Sequence, residues 1–301
     1  MALAEFELSD RFRVDDGDVA MSGVQAMLRI LIDQLRADRR DGLANAAFVS
    51  GYRGSPVGGV DALMEQNQSE LDANNITFTP GVNEDLAATA VWGSQLARRN
   101  WSSKYDGVLG MWYGKAPGLD RSGDAIMHAN ISGVDPSGGV LMVTGDDPSS
   151  KSSTLASGSE FMLQHLATPI LYPGTVQEVL DYGRLGLEMS RYAGSWSALK
   201  LVTNVADAYT SVKVGPGRVM VSRPEWEFEG KPWAHTQEDL LIGAGSVAME
   251  REQYAGRLPA AEQWIAHNRL NYSTVPTSDA TLGIVAAGKT YYDVRAAFDK
   301  L

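Results

Sequence analysis

The chain has 301 residues, room for one large or two ordinary domains. Hydrophobic residues make up 44% and charged residues 21%, an ordinary globular composition that argues against disorder. Lys+Arg 26 against Asp+Glu 37 leaves a formal charge of −11, which speaks against nucleic acid, and the absence of cysteine excludes disulfides, thiolate metal sites and Cys-ligated iron–sulfur clusters within these residues.

The opening MALAEFELSDRFRVDDGD is charged throughout and lacks the apolar centre of a signal peptide. No apolar run reaches the roughly 18–20 residues of a bilayer span, so a cytoplasmic protein with no membrane partner is expected. The first helical pattern carries Val24, Leu28, Leu31, Ile32 and Leu35 on one face and ends in the polar run ADRRDG. Six short apolar runs follow along the chain: 46–50, 76–79, 107–112, 139–144, 169–172 and 198–203. Each is bounded by turn residues and reads as a buried strand. Between them Asn83 caps a helix containing Leu86, Ala90, Val91 and Ala97. Thr175 caps another, with Glu178 placed to complete a capping box. Strands alternating with helices predict an α/β fold: a mostly parallel sheet of about six strands, helices on both faces, over about residues 20–214.

From Gly215 to Leu240 the chain holds three Pro and two Trp and loses any clear period, which reads as an irregular arm. A helix around 259–268 follows, then a strand at Leu282–Ala287 and the start of a helix at Asp293–Phe298. The expected division is therefore 1–214 as the α/β domain, 215–280 as arm and linker helix, and 281–301 as the truncated start of a following α/β domain.

Several motifs carry a chemical reading beside a plainer one. Gly283–Thr290 matches GxxxxGK[ST] in form. Its intervening Ile, Val, Ala and Ala read as the strand itself, so a phosphate loop is not supported. Gly51–Gly59, GYRGSPVGG, follows a strand and precedes a helix; its glycines, hydroxyl and arginine suit an anion, or merely a tight turn. Glu84 stands at the mouth of an Ala-rich helix, where a carboxylate also serves the helix dipole. Asp146 and Asp147 follow a strand as potential metal ligands or amide caps. The histidines 128, 165, 235 and 267 lack ligand spacing, His128 lying in a glycine-rich loop region. Ser152 and Ser153 offer hydroxyls without an identifiable base.

Together the segments 51–61, 80–93, 110–124, 138–154 and 282–295 resemble indolepyruvate ferredoxin oxidoreductase, in particular the amino-terminal portion of its fused form, a 2-oxoacid:ferredoxin oxidoreductase. The resemblance implies the pyrimidine-binding domain of a thiamine-diphosphate enzyme. Magnesium and the diphosphate would be held mainly by another domain, and iron–sulfur clusters would sit in other parts of the enzyme. Glu84, matching the family acid, would hydrogen-bond pyrimidine N1′ and so promote removal of the thiazolium C2 proton. A 2-oxo acid is then decarboxylated, electrons pass to ferredoxin, and coenzyme A takes the acyl group. Arg53, Gly54, Ser55 and Pro56 match the strand-end turn bordering the reactive carbon and the substrate carboxylate. Asn83, Gly114 and Lys115 complete the expected cofactor contacts, and the glycine loop 114–118 approaches from the next strand end. Residues 147–151, DPSSK, depart from the expected pattern.

No metal ligand is assigned in this chain, which by this reading is a fragment, inactive alone and prone to homo-oligomerise through its exposed cofactor face. A rival reading makes it a non-catalytic binding or assembly module that retains the fold.

Overall fold

The computed structural model describes residues 7–100, 102–275 and 278–300. The first six residues of the charged start, and Leu301 at the end of the predicted third segment, lie outside the described residues.

A helical turn, α1 (Asp10–Arg13), leads to β1 (Gly17–Ser22) and α2 (Gly23–Arg40). Ser22 starts α2 with both bonds of a capping box. Its hydroxyl accepts from Gln25 N, and Gln25 Oε1 accepts from Ser22 N. The chain then runs through β2 (Ala46–Gly51), α3 (Val60–Gln66), α4 (Gln68–Ala73), β3 (Ile76–Phe78), α5 (Glu84–Gln95) and α6 (Ala97–Asn100). Next come β4 (Val108–Lys115), α7 (Ala116–Arg121), α8 (Gly123–Ser132), β5 (Val140–Asp146), α9 (Glu160–His165) and β6 (Ile170–Leu171). The α/β part closes with α10 (Val176–Ala193), β7 (Ser197–Val202), α11 (Thr203–Ala206) and β8 (Tyr209–Val214).

Strands β2 to β7 form one parallel sheet in the order β3-β2-β4-β5-β7-β6. All six expected strands are present. Side chains alternate between its two faces. Val49, Met111, Val143 and Leu199 meet α2 and α10 on one side. Trp112, Met142 and Ala198 meet α5, α7 and α8 on the other. With both faces covered, central strands are buried along their whole length, which is why they read as continuous apolar runs.

The expected caps are made. Asn83 Oδ1 accepts from Leu86 N at 2.8 Å, and Thr175 Oγ1 accepts from Glu178 N at 3.2 Å. The Glu178 carboxylate does not return to the Thr175 amide, however. It accepts from Gly174 N at 2.7 Å and from the Tyr292 hydroxyl, so it ties the helix start to a segment 114 residues away.

Four features differ from expectation. β1 and β8 pair antiparallel as a separate ribbon, Gly17 opposite Val214, that half-exposed patterning had hidden. Leu282–Ala287 is not a strand: Leu282, Ile284 and Val285 are exposed, and the run pairs with no strand among the described residues. The helix after it begins earlier, α14 spanning Gly288–Phe298 once the arm's elements are numbered, and buries no residue. His128 lies inside α8 rather than in a loop.

The arm contains a two-stranded hairpin, β9 (Glu227–Phe228) with β10 (Lys231–Pro232). After it come α12 (Ala244–Glu252), a π-helical turn at Gln253–Arg257 and α13 (Leu258–His267). Trp264 is fully buried in the main core. Arg257, also fully buried, donates to the carbonyls of Asn130 and Thr236 at 2.6 and 2.9 Å and pairs with Glu252 at 2.9 Å.

His235 donates from Nε2 to the Arg191 carbonyl at 3.1 Å. Burial, helped by the Arg257 guanidinium, pushes its pKa from 6.5 down to about 4. The unfolded chain therefore takes up the proton first. Stability is complete above about pH 6.5 and is lost as the pH falls towards 4, by on the order of 2–3 kcal/mol. Melting temperatures of wild type and His235→Gln compared across that window check this. The variant is expected to lose the His-dependent part of the slope.

Candidate functional site at the carboxyl ends of the central strands

The strand order places a topological switch between β2 and β4. From β2 the chain steps outward to β3, then crosses back over β2 to reach β4. The connection after β2 runs to α3, whose Val60 and Met64 belong to the core on one face. The connection after β4 runs to α7, whose Leu119 belongs to the core on the other face. The two loops depart to opposite faces, and by the switch-point rule this marks the crevice above the strand ends where open parallel sheets bind ligands.

Every residue expected at the site lies around this crevice. Arg53, Gly54, Ser55 and Pro56 follow β2, while Gly114 and Lys115 end β4. Asn83 and Glu84 open α5, whose connecting segment is held to β2 by a bond from Gly81 N to Gly51 O at 2.8 Å. The loops approach closely only because two positions lack a Cβ. A Cβ on Gly54 would stand 2.8 Å from Lys115 Cδ, and one on Gly118 would stand 2.5 Å from Glu84 Cγ.

Glu84 is half-buried. Its backbone carbonyl accepts from the indole Nε1 of fully buried Trp112 at 3.0 Å, and its carboxyl rests on Gly118. Asn83, with extended backbone, sets the direction in which α5 starts, and the first-turn amides favour the carboxylate. Pro56 is buried against Gly145 of β5. Gly114 is buried beneath the Trp112 ring. Arg53 is exposed and makes no salt bridge among the described residues. Gly118→Ala is expected to turn the Glu84 carboxyl away from the crevice and to cost about 1–3 kcal/mol of stability by overpacking. Urea unfolding of the variant checks the second effect.

Two features escaped the sequence reading. Tyr113 is fully buried, and its hydroxyl donates to Asp61 Oδ1 at 2.7 Å. Burial, reinforced by that bond, raises its pKa, so it remains a donor. The second is the loop after β5. Of the two readings offered for Asp147 the amide cap holds, its carboxylate accepting from the amides of Lys151, Ser152 and Ser153 at 3.0, 2.9 and 3.1 Å; the contacts this gives the loop were not foreseen. The Ser152 amide above all, then that of Lys151, holds its pKa down at about 2. Ser152 then meets Ser55 hydroxyl to hydroxyl, and Lys115 Nζ lies 3.4 Å from Ser153 Oγ. An Asx-Pro turn was the only local signal.

Asp146 points elsewhere. Its Oδ2 accepts from Ser159 N and Oγ at 3.1 Å and lies 3.2 Å from Lys200 Nζ, while burial raises its pKa. Among the described residues no group of three or more His, Asp or Glu is arranged to hold a metal ion, and no helix is long and apolar enough to cross a membrane.

The fold is similar to that of a 2-oxoacid:ferredoxin oxidoreductase. A 2-oxoglutarate:ferredoxin oxidoreductase from Magnetococcus marinus, solved with 2-oxoglutarate, coenzyme A and succinyl-CoA bound, superposes with a TM-score of 0.65 over 94% of this chain and 51% of that one, at 16% identity. Curated relatives narrow the likeness to indolepyruvate oxidoreductase subunit IorA. That of Archaeoglobus fulgidus is 26% identical over 297 residues, covering 98% of this chain, and that of Methanothermobacter thermautotrophicus is 24% identical over 296. The Pyrococcus horikoshii subunit is 26% identical over 203 residues. The family resemblance read from the sequence is thus the one its relatives carry. The chain spans 43% of the length of the first two. No family model matches it.

Proposed function

We propose that this chain is the pyrimidine-binding part of a thiamine-diphosphate-dependent 2-oxoacid ferredoxin oxidoreductase acting on an aryl pyruvate such as indolepyruvate. The observation that carries this is Glu84, held by Asn83, Trp112 and Gly118 at the switch-point crevice. A side chain at 54 or 118 would displace Lys115 or Glu84, so the two glycines keep an acid and a cation at the strand ends, a donor set that fits the cofactor's N1′ and an anionic group beside it. When bound, thiamine diphosphate supplies the carbon nucleophile and the electron sink for oxidative decarboxylation.

The chain's own residues orient and protonate. Glu84 would share a proton between its Oε and the ring nitrogen N1′, and its half-buried setting strengthens that bond. Arg53 and Lys115 would attract the carboxylate of the 2-oxo acid, and Ser55 with Pro56 would shape the wall beside it. Magnesium, the diphosphate and the iron–sulfur clusters that pass electrons to ferredoxin would be bound elsewhere in the enzyme, as would coenzyme A.

In this reading 1–214 is the pyrimidine domain, 215–280 its arm, and 281–301 the beginning of a following α/β domain. The exposed Leu282, Ile284 and Val285 support the last assignment. Exposed Tyr52, Val82 and Leu86 beside the crevice would meet another domain, and in the isolated chain would promote self-association in the cytoplasm.

The test is a turnover assay with indole-3-pyruvate, coenzyme A and ferredoxin. Activity is expected when the chain is joined to its remaining domains and absent from the chain alone. An assembled enzyme that binds no thiamine diphosphate would leave the rival reading, a non-catalytic assembly module.

A further inference from the structure

The loop after β5 has a construction that a mere connection does not need. Ser150 takes a left-handed backbone, φ 53°, a conformation uncommon for a residue with a side chain. The buried Asp147 carboxylate then gathers three successive amides. The product of this folding is a pair of hydroxyls carried to the crevice, Ser152 against Ser55 and Ser153 against Lys115. Lys151 is turned outward to Asp207 at 2.6 Å, so the loop's own cation is spent away from the site.

Each of these groups has donor capacity left over. An ammonium carries three donors and Lys115 uses one, weakly, on a neutral hydroxyl. Two serine hydroxyls in mutual contact share one proton between them and leave the second free to donate. The Asp147 carboxylate keeps its charge, but its oxygens are turned to the three amides, whose dipoles offset part of it. Hydroxyls and a cation converging without an opposing free carboxylate are the chemistry of an oxyanion subsite.

We propose that the Asp147-organised loop is part of the ligand site. In it Ser152 and Ser153, together with Ser55 and Lys115, bind the carboxylate of the 2-oxo acid, and Asp147 is the positioning residue. This rests on the function proposed above and extends it to a segment that the family resemblance left without a role. An aryl pyruvate is recognised by the loop only through its carboxylate, so the subsite fixes the acid end and leaves side-chain choice to other surfaces.

The experiment titrates the folded chain with indole-3-pyruvate, and separately with inorganic phosphate, while the amide resonances of residues 151–153 are followed by NMR. Saturable shifts with indole-3-pyruvate are expected. Ser152→Ala and Ser153→Ala should each weaken binding by roughly 2- to 10-fold, the range for one hydrogen bond. Asp147→Asn should disperse the three amide resonances and weaken binding further, while thiamine diphosphate binding by the assembled enzyme stays intact. Shifts confined to Arg53 and Lys115, with unchanged affinity in both serine variants, would overturn the loop's role and leave the proposed function standing. Shifts with phosphate but none with indole-3-pyruvate would overturn the carboxylate assignment. No shifts with either would overturn the subsite alone; an assembled enzyme that binds no thiamine diphosphate would bring down both readings.

Discussion

Glu84→Gln, placed in the assembled enzyme, is expected to slow exchange of the thiazolium C2 proton by about 10²–10⁴-fold, the usual contribution of a positioned acid–base group. The amide retains the shape of the carboxyl and still fits against Gly118. It cannot share an acidic proton with N1′, so cofactor affinity should change far less than rate. In the isolated chain the same change should leave stability within about 1 kcal/mol, because Glu84 is half-buried and its structural bond runs through the backbone carbonyl. Proton exchange on bound thiamine diphosphate, followed by NMR in both enzymes, measures the effect. Equal rates would return Glu84 to the role of a helix-start carboxylate.

The largest stability effect should come from the far side of the sheet. Asp38 near the end of α2 is 1% exposed and receives both guanidinium nitrogens of Arg191 from α10, at 3.0 and 2.9 Å. Asn45 and Gln34 also donate to it, at 2.7 and 3.0 Å. Its carboxylate thus has four donors and joins the two longest helices to the start of β2. Asp38→Ala strands a buried guanidinium, and breaking such a pair costs about 3–5 kcal/mol. Glu188, 3.2 Å from Arg191, offsets part of the loss, so the lower end is expected. Urea unfolding of Asp38→Ala and Glu188→Ala separates the two. Glu188 is nearer the rim and should cost about 1 kcal/mol or less. A cost below 1 kcal/mol for Asp38→Ala would show that the pair does not hold the helices.

What could be read in the sequence follows the range of the interactions concerned. The six sheet strands were legible because burial on both faces makes runs such as Val140–Val143 and Ala198–Leu199 apolar on both faces rather than on one. Asn83 and Thr175 were legible because an N-cap bond closes over three residues. The β1–β8 ribbon was not: only Val19 and Met21, and Val212 and Val214, alternate with more exposed neighbours, and exposed Gly17 and Thr210 break the pattern before it is long enough to read. The same rule misled at Leu282–Ala287, where a strand-like run pairs with no strand among the described residues, and a strand exists only by pairing.

Composition and periodicity by themselves determined the α/β class and the six strand positions. The family motifs added Glu84, Arg53, Lys115 and their neighbours as candidates. Tertiary structure alone decided which of them meet. Strand order puts the ends of β2 and β4 side by side across a reversal of direction and so opens the crevice. Trp112 fixes Glu84 from 28 residues away, and the Asp147 loop carries Ser152 to Ser55 across 97 residues of chain. No local pattern encodes such contacts, because they depend on how parallel strands are ordered, and that order is set by packing both faces of the sheet at once.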